Sequence, residues 1–294
     1  MSITSDWFYP ELNNIKHKWQ KFVTSCYVVG GRMTMLLVDN TGVPYGVKQI
    51  DGKIRTSSMP YLYDIAEGHV PGHTALRISG LNSNVAAAWE TVHHPSTLRT
   101  YLTAAERLQV TSTAAADDGA PLGTGARTVT ISGLDANYVA LSETVIMNGV
   151  ANVLTDASFL RIQSVHVATA GTTGYNEGTI TVSDFADAIV LDQIEIQENQ
   201  SMAAAYTVPA GYMAYIVQAL ATESSSKGCE FGFWVRPFGG LWAQQRGIVL
   251  LDSGIVVPNW IPMVLPEKTD VEIRARALLA GAVVTAAFDG WIET

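Results

Sequence analysis

Between residues 128 and 132 the chain alternates strictly, with Val129 and Ile131 apolar and Thr128, Thr130 and Ser132 polar. A period of two sends successive side chains to opposite faces, so this segment is a strand with one face buried and one face open. Residues 133–137, which run from Gly133 to Asn137, supply a turn. Leu141, Glu143 and Val145 carry the second arm less cleanly, and Asn148 with Gly149 gives a strong closing turn signal. The result is a β-hairpin whose outer face is threonine and serine. It holds no nucleophile beside a base and no metal-ligand spacing, which suits a rigid scaffold.

The same texture recurs along the chain. Segments 159–168, 179–182, 215–220, 230–235, 247–251, 263–265, 271–276 and 283–288 read as short strands separated by Gly, Pro and Asn turns. Many short strands with such punctuation argue for sandwich or jelly-roll architecture. In 271–276, Glu272, Arg274 and Arg276 alternate with Val271, Ile273 and Ala275, giving one polar and one apolar face. The 294 residues suffice for two ordinary domains. The expected fold is mostly β, with two β-sandwich or jelly-roll-like domains in tandem behind an N-terminal helix and extended arm. The boundaries fall at 1–60 for the helix and attachment arm, 61–198 for a first β domain and 199–294 for a C-terminal β-sandwich. The acidic stretch 183–200, with Asp184, Asp187, Asp192, Glu195 and Glu198, is the junction. The two halves show no internal repeat.

The N-terminal region reads differently. Pro10 suits a first helical position, and Leu12, Ile15, Trp19, Phe22 and Val23 follow a helical apolar stripe over 10–24. Two readings stand: a helix that docks a partner or another subunit through Leu12, Ile15, Trp19 and Phe22, and a helix packed on its own domain. Segments 27–29 and 33–38 are strand-like. Residues 43–60 carry little periodicity and read as an arm.

Charge narrows the partners. The net charge is −9, and only 15% of residues are charged. A protein that neutralises phosphates needs a basic surface, so nucleic acid is not expected as a partner. Cys26 and Cys229 form no disulfide framework or zinc pattern and read as free, buried thiols. The N-terminus lacks the basic start and apolar core of a signal peptide, and no apolar run approaches the ~18 residues of a membrane span. Synthesis in the cytoplasm without membrane insertion is the expectation.

Candidate chemistry is sparse. His69, His73, His93 and His94 with Glu67 could in principle gather zinc, but Pro71 and Gly72 keep the first pair off a helical face. Gly123 and Gly125 precede a strand where a phosphate loop needs a helix N-terminus. Asp117 and Asp118 lack the further oxygen ligands that calcium requires. No catalytic residue, metal or cofactor is therefore expected. The C-terminal aromatics, among them Trp234, Trp242, Trp260 and Trp291, fill a sandwich core or an interface. Trp242 and Trp260 are the candidates for stacking on a sugar.

An ordered series of short motifs carries a resemblance. It runs through residues 63–73 (Tyr63 to His73), 88–91, 123–138 and Asn148-Gly149, then 206–215, 235–239, 266–273 and 288–291. The series resembles a group of tailed-bacteriophage structural proteins common among aquatic phages and covers about 61–294. The resemblance implies a virion component assembled in the host cytoplasm, on the capsid surface, neck or tail, with no catalytic residues to carry over. It implies a symmetric homo-oligomer, a trimer as first guess, bound to other virion proteins. The alternative is an adhesin or carbohydrate-binding module on a phage fibre that recognises a host-surface glycan.

Overall fold

The computed structural model describes residues 61–294 and, ahead of them, the backbone of four short strands between 25 and 54. The chain divides into two units between Met59 and Pro60. In the first unit β1 (Ser25–Val29) pairs antiparallel with β2 (Arg32–Leu36), and β3 (Gln49–Ile50) with β4 (Lys53–Ile54). The expected helix over 10–24, with Leu12, Ile15, Trp19 and Phe22, lies outside the described residues.

The second unit opens with a short helix, α1 (Tyr61–Ala66), and is otherwise β. Next come β5 (His73–Val85), β6 (Glu90–Thr91), β7 (Gln109–Ser112), β8 (Ala126–Leu134), β9 (Ala140–Ile146) and β10 (Val153–Leu154). They are followed by β11 (Arg161–Ala170), β12 (Ile180–Ser183), β13 (Val190–Ile194), β14 (Ala205–Thr207) and β15 (Met213–Glu223). The last are β16 (Cys229–Arg236), β17 (Ala243–Leu250), β18 (Ser253–Leu265), β19 (Asp270–Ala277) and β20 (Ala282–Glu293). The expected mostly β class is what the structure has.

Two hydrophobic cores organise these strands. The first lies between the sheets β10-β7-β12-β13 and β11-β8-β9. Val129 and Ile131 on β8 are fully buried within it. On the other face of the same strand Thr130 meets Thr144 at 2.7 Å, and Thr128 meets Thr169 at 2.6 Å. The alternation in sequence is thus the alternation in space.

The second core lies between the sheets β18-β15-β20-β5 and β14-β19-β16-β17, with β6 paired to β19. Phe288, Val271 and Ile216 sit at its centre without exposure. Its strands come from both sides of the expected boundary at 198. β5 pairs with β20 along its length, from Val85 opposite Ala282 to His73 opposite Glu293. The chain begins the second core, leaves to build the first, and returns, so the two are nested. Strand pairing across some 200 residues leaves no trace in local periodicity, which is why a tandem order was expected.

A turn device stiffens one end of the second core. The Glu223 carboxylate accepts from the Ser225 N–H at 2.7 Å and the Asp252 N–H at 2.7 Å, and also from the Ser225 hydroxyl. It ties the β15–β16 turn to the β17–β18 turn. Burial acts to raise its pKa, but these bonds outweigh burial and bring it down to about 2.

Candidate functional site

The two cores meet along one face of β19. The alternation in 271–276 predicts a polar face, and the structure buries most of it: Glu272 and Arg274 are enclosed, as is Asp270 just before them, while Arg276 stays exposed. What covers them is β11 and the loops of the first core. Asp270 is the hub. It accepts from Arg161 Nε of β11 at 2.9 Å, from Arg236 Nη2 of β16 at 2.6 Å and from the Thr207 hydroxyl of β14 at 2.6 Å. Arg161 also donates to the carbonyls of Leu102 and Leu160, both at 2.9 Å. A guanidinium offers five donors in a rigid fork, so one arginine can fix several strands at once.

Glu272 is the second hub. It accepts from the Thr91 hydroxyl at 2.8 Å, from the Tyr101 hydroxyl at 3.2 Å and from its neighbour Arg274. Burial raises its pKa, opposed by Arg274. Enclosure likewise holds the Tyr101 phenol well above its ordinary value, with Glu272 adding to the effect.

Rings and cations alternate through this joint. Arg276 lies 4.9 Å from the Trp89 ring, and Trp89 meets Trp234 edge-on at 5.7 Å. Arg274 is sandwiched, 4.6 Å from Trp234 and 4.5 Å from Trp242. Arg236 follows between Trp242 at 4.8 Å and Tyr101 at 4.7 Å, and Arg161 between Tyr101 at 5.1 Å and Tyr138 at 5.4 Å. Each cation over a desolvated ring adds roughly 1–2 kcal/mol. The ladder locks one core to the other.

The sequence candidates fall in different places. Trp242 belongs to the ladder, with Arg236 4.8 Å and Arg274 4.5 Å from its ring. Trp260 stands on β18 in the other sheet and is 93% exposed. The structure does not bring the two together. The histidines also separate. His69 pairs with Glu67 at 3.3 Å, His73 with Glu293 at 2.7 Å and His94 with Glu198 at 2.6 Å. His93 contacts the Thr97 carbonyl at 2.9 Å, and burial first, then Arg99, lowers its pKa to about 3. Among the described residues no group of three or more His, Cys, Asp or Glu is placed to hold a metal. The Asp117 carboxylate accepts from Ser112, Ala126, Glu177 and Gly178, so its oxygens are engaged in holding loops. Gly125 abuts that carboxylate, and β8 follows directly. Cys229 is buried and free, and its thiol is pushed up to about 12, chiefly by burial. Among the described residues no helix is long and apolar enough to cross a membrane.

Sequence reasoning missed the joint. The available signal was a charged residue at every second position of β19, Asp270, Glu272, Arg274 and Arg276, beside a tryptophan-bearing strand.

No family model matches the chain, and no curated protein matches it. Among solved structures it is similar to the STIV MCP at 9% identity, covering 74% of this chain and 96% of that one with a TM-score of 0.21. The infectious bursal disease virus Gt strain structure matches at 9% identity, 80% and 86% coverage and a TM-score of 0.13. The VP2 subviral particle of the same virus matches at 10% identity with the same coverage and TM-score. These neighbours are viral structural proteins, and at such TM-scores the likeness carries no argument about this chain.

Proposed function

We propose that this chain is a non-enzymatic structural component of a tailed-phage virion, built into a symmetric oligomer and docked through residues 1–60. The observation that carries the reading is the joint. Its densest grouping of charge and aromatic rings is turned inward, with Asp270 and Glu272 saturated by internal donors. Groups committed to one another hold two cores in a fixed relation, which is what a repeated particle element requires. The motif series over 61–294 gives the tailed-phage assignment its direction.

The test replaces the full chain with a 61–294 truncation during infection and measures its copy number in purified particles. The expected result is a folded, β-rich truncation that is absent from particles. Unchanged incorporation would refute docking through the N-terminal region, and absence of the full chain from particles would refute the virion role.

A further inference from the structure

The strand β18 is an edge strand, and its middle departs from its partner in an unusual way. On β15, Ile216 pairs with Met263 and Gln218 pairs with Pro258. Val217 alone therefore faces four residues, Asn259, Trp260, Ile261 and Pro262. A bulge bends its strand and re-aims side chains. Here it pushes out the two most exposed large side chains of the strand, Trp260 at 93% and Ile261 at 86%. Pro258 and Pro262 bracket the bulge and fix its backbone. The Asn259 side-chain amide donates to the Ile216 carbonyl at 3.1 Å and pins its base.

Immediately beside this knob the two sheets of the second core gape. The opening lies between the edge strands β17 and β18 and is lined by Phe231, Phe233, Ile248, Val257 and Met263, with Arg246 at its rim. Knob and groove share β18. We propose that a second copy of this chain occupies this edge, the Trp260–Ile261 knob of one copy seated in the β17–β18 groove of the other. This rests on the reading of the chain as a self-assembling element.

Three observations select the occupant. Between Gly247 and Leu265 Asp252 is the sole charged residue, on a chain of net charge −9. Two such chains repel over most of their surface and can approach where charge is lacking. The prolines remove backbone donors from the edge, which disfavours addition of a partner strand and leaves side-chain contact. Val249 on β17, Val256, Trp260 and Ile261 on β18, and Leu241 and Leu251 in the loops that flank β17 are all more than half exposed. Trp260 alone presents on the order of 200 Å² of ring surface, the size of an interface anchor. A knob adjacent to its own receptor groove is also the geometry of an isologous contact, in which each copy gives and receives the same residues.

Sedimentation velocity of the full chain over a concentration series tests this, with Trp260→Ser and Ile261→Ser as variants. Both side chains are exposed, so the melting temperature should stay within a few degrees, while the self-association constant weakens at least tenfold. A second measurement mixes Trp260→Cys and Arg246→Cys proteins, each also carrying Cys26→Ser. A disulfide-linked pair of the two is expected under mild oxidation. Unchanged mass in both serine variants, or absence of the mixed disulfide, overturns the inference. So does glycan-array binding that Trp260→Ser abolishes while the oligomer persists, which would make the knob a sugar platform. Particle incorporation is scored separately: a full chain missing from particles defeats the virion reading whatever the mass, and an intact oligomer of the Trp260→Ser variant defeats the knob alone.

Discussion

Replacing Asp270 with alanine leaves two guanidiniums facing each other across the joint without their common acceptor. Arg161 is nearly sealed, with a side-chain exposure of 8%, and keeps the Leu102 and Leu160 carbonyls as partners. Losing the carboxylate there costs about 2 kcal/mol, at the low end for a buried charged partner. The Thr207 hydroxyl loses its acceptor at a further ~1 kcal/mol. Arg236 is 25% exposed and turns outward to water, which adds less than about 1 kcal/mol. The expected destabilisation is about 3–4 kcal/mol, a large fraction of the roughly 5–15 kcal/mol that holds a domain folded. Urea titration followed by tryptophan fluorescence measures it, since Trp234 and Trp242 lie in the ladder. A cycle combining Arg161→Met with Asp270→Asn should show a coupling of about 1.5–3 kcal/mol. A cost for Asp270→Ala below about 1 kcal/mol, or additive single variants, would show that the hub does not hold the cores together.

Glu223 makes stability pH-dependent. Its pKa falls from 4.5 unfolded to about 2 folded, so its contribution is complete above pH 4.5 and is lost as pH drops toward 2. Glu223→Gln should flatten the melting temperature between those values by an amount matching about 1–3 kcal/mol; an unchanged slope refutes the assignment. At Gly80 a Cβ would lie 2.1 Å from the Val92 carbonyl oxygen and 2.3 Å from the Ala204 nitrogen. Gly80→Ala should therefore cost about 3 kcal/mol or more. Gly174→Ala, with open space but φ +77, should cost about 1 kcal/mol. Chemical denaturation of the two variants side by side checks the order. The Cys229 thiol, buried and raised to about 12, should resist alkylation at pH 8 in the folded protein and react fully in denaturant, as read by mass spectrometry of its peptide.

What the sequence revealed and what it hid divide along one physical line. Period-two alternation reports which side chains share a face of one strand, and at Thr128 to Ser132 that is also the division between core and solvent. On β19 the same alternation is present, but its polar face meets β11 and the loop bearing Tyr101. Burial there depends on a neighbour more than 100 positions away. The ladder draws Trp89, Tyr101, Tyr138, Arg161, Arg236, Trp242 and Arg274 from separate elements, so no spacing announces it. Trp242 and Trp260 look alike as isolated tryptophans, and only the arginines stacked on one of them tell the two apart. The two prolines around Trp260 were a local sign, since proline within an apolar strand points to an edge or a bulge.

The nesting of the two cores sets an order of events during synthesis. All strands of the first core lie between β6 and β14, so the whole set emerges while the second core is still half made. β5 leaves the ribosome roughly 200 residues ahead of β20, a delay of about 10–40 s at ordinary translation rates. Throughout that interval β5 has no partner in its sheet. The strand that relieves it is β20, so the sandwich closes only once β20 has emerged, around a first core already in place. Arg161 is then waiting on β11 when Asp270 arrives to meet it.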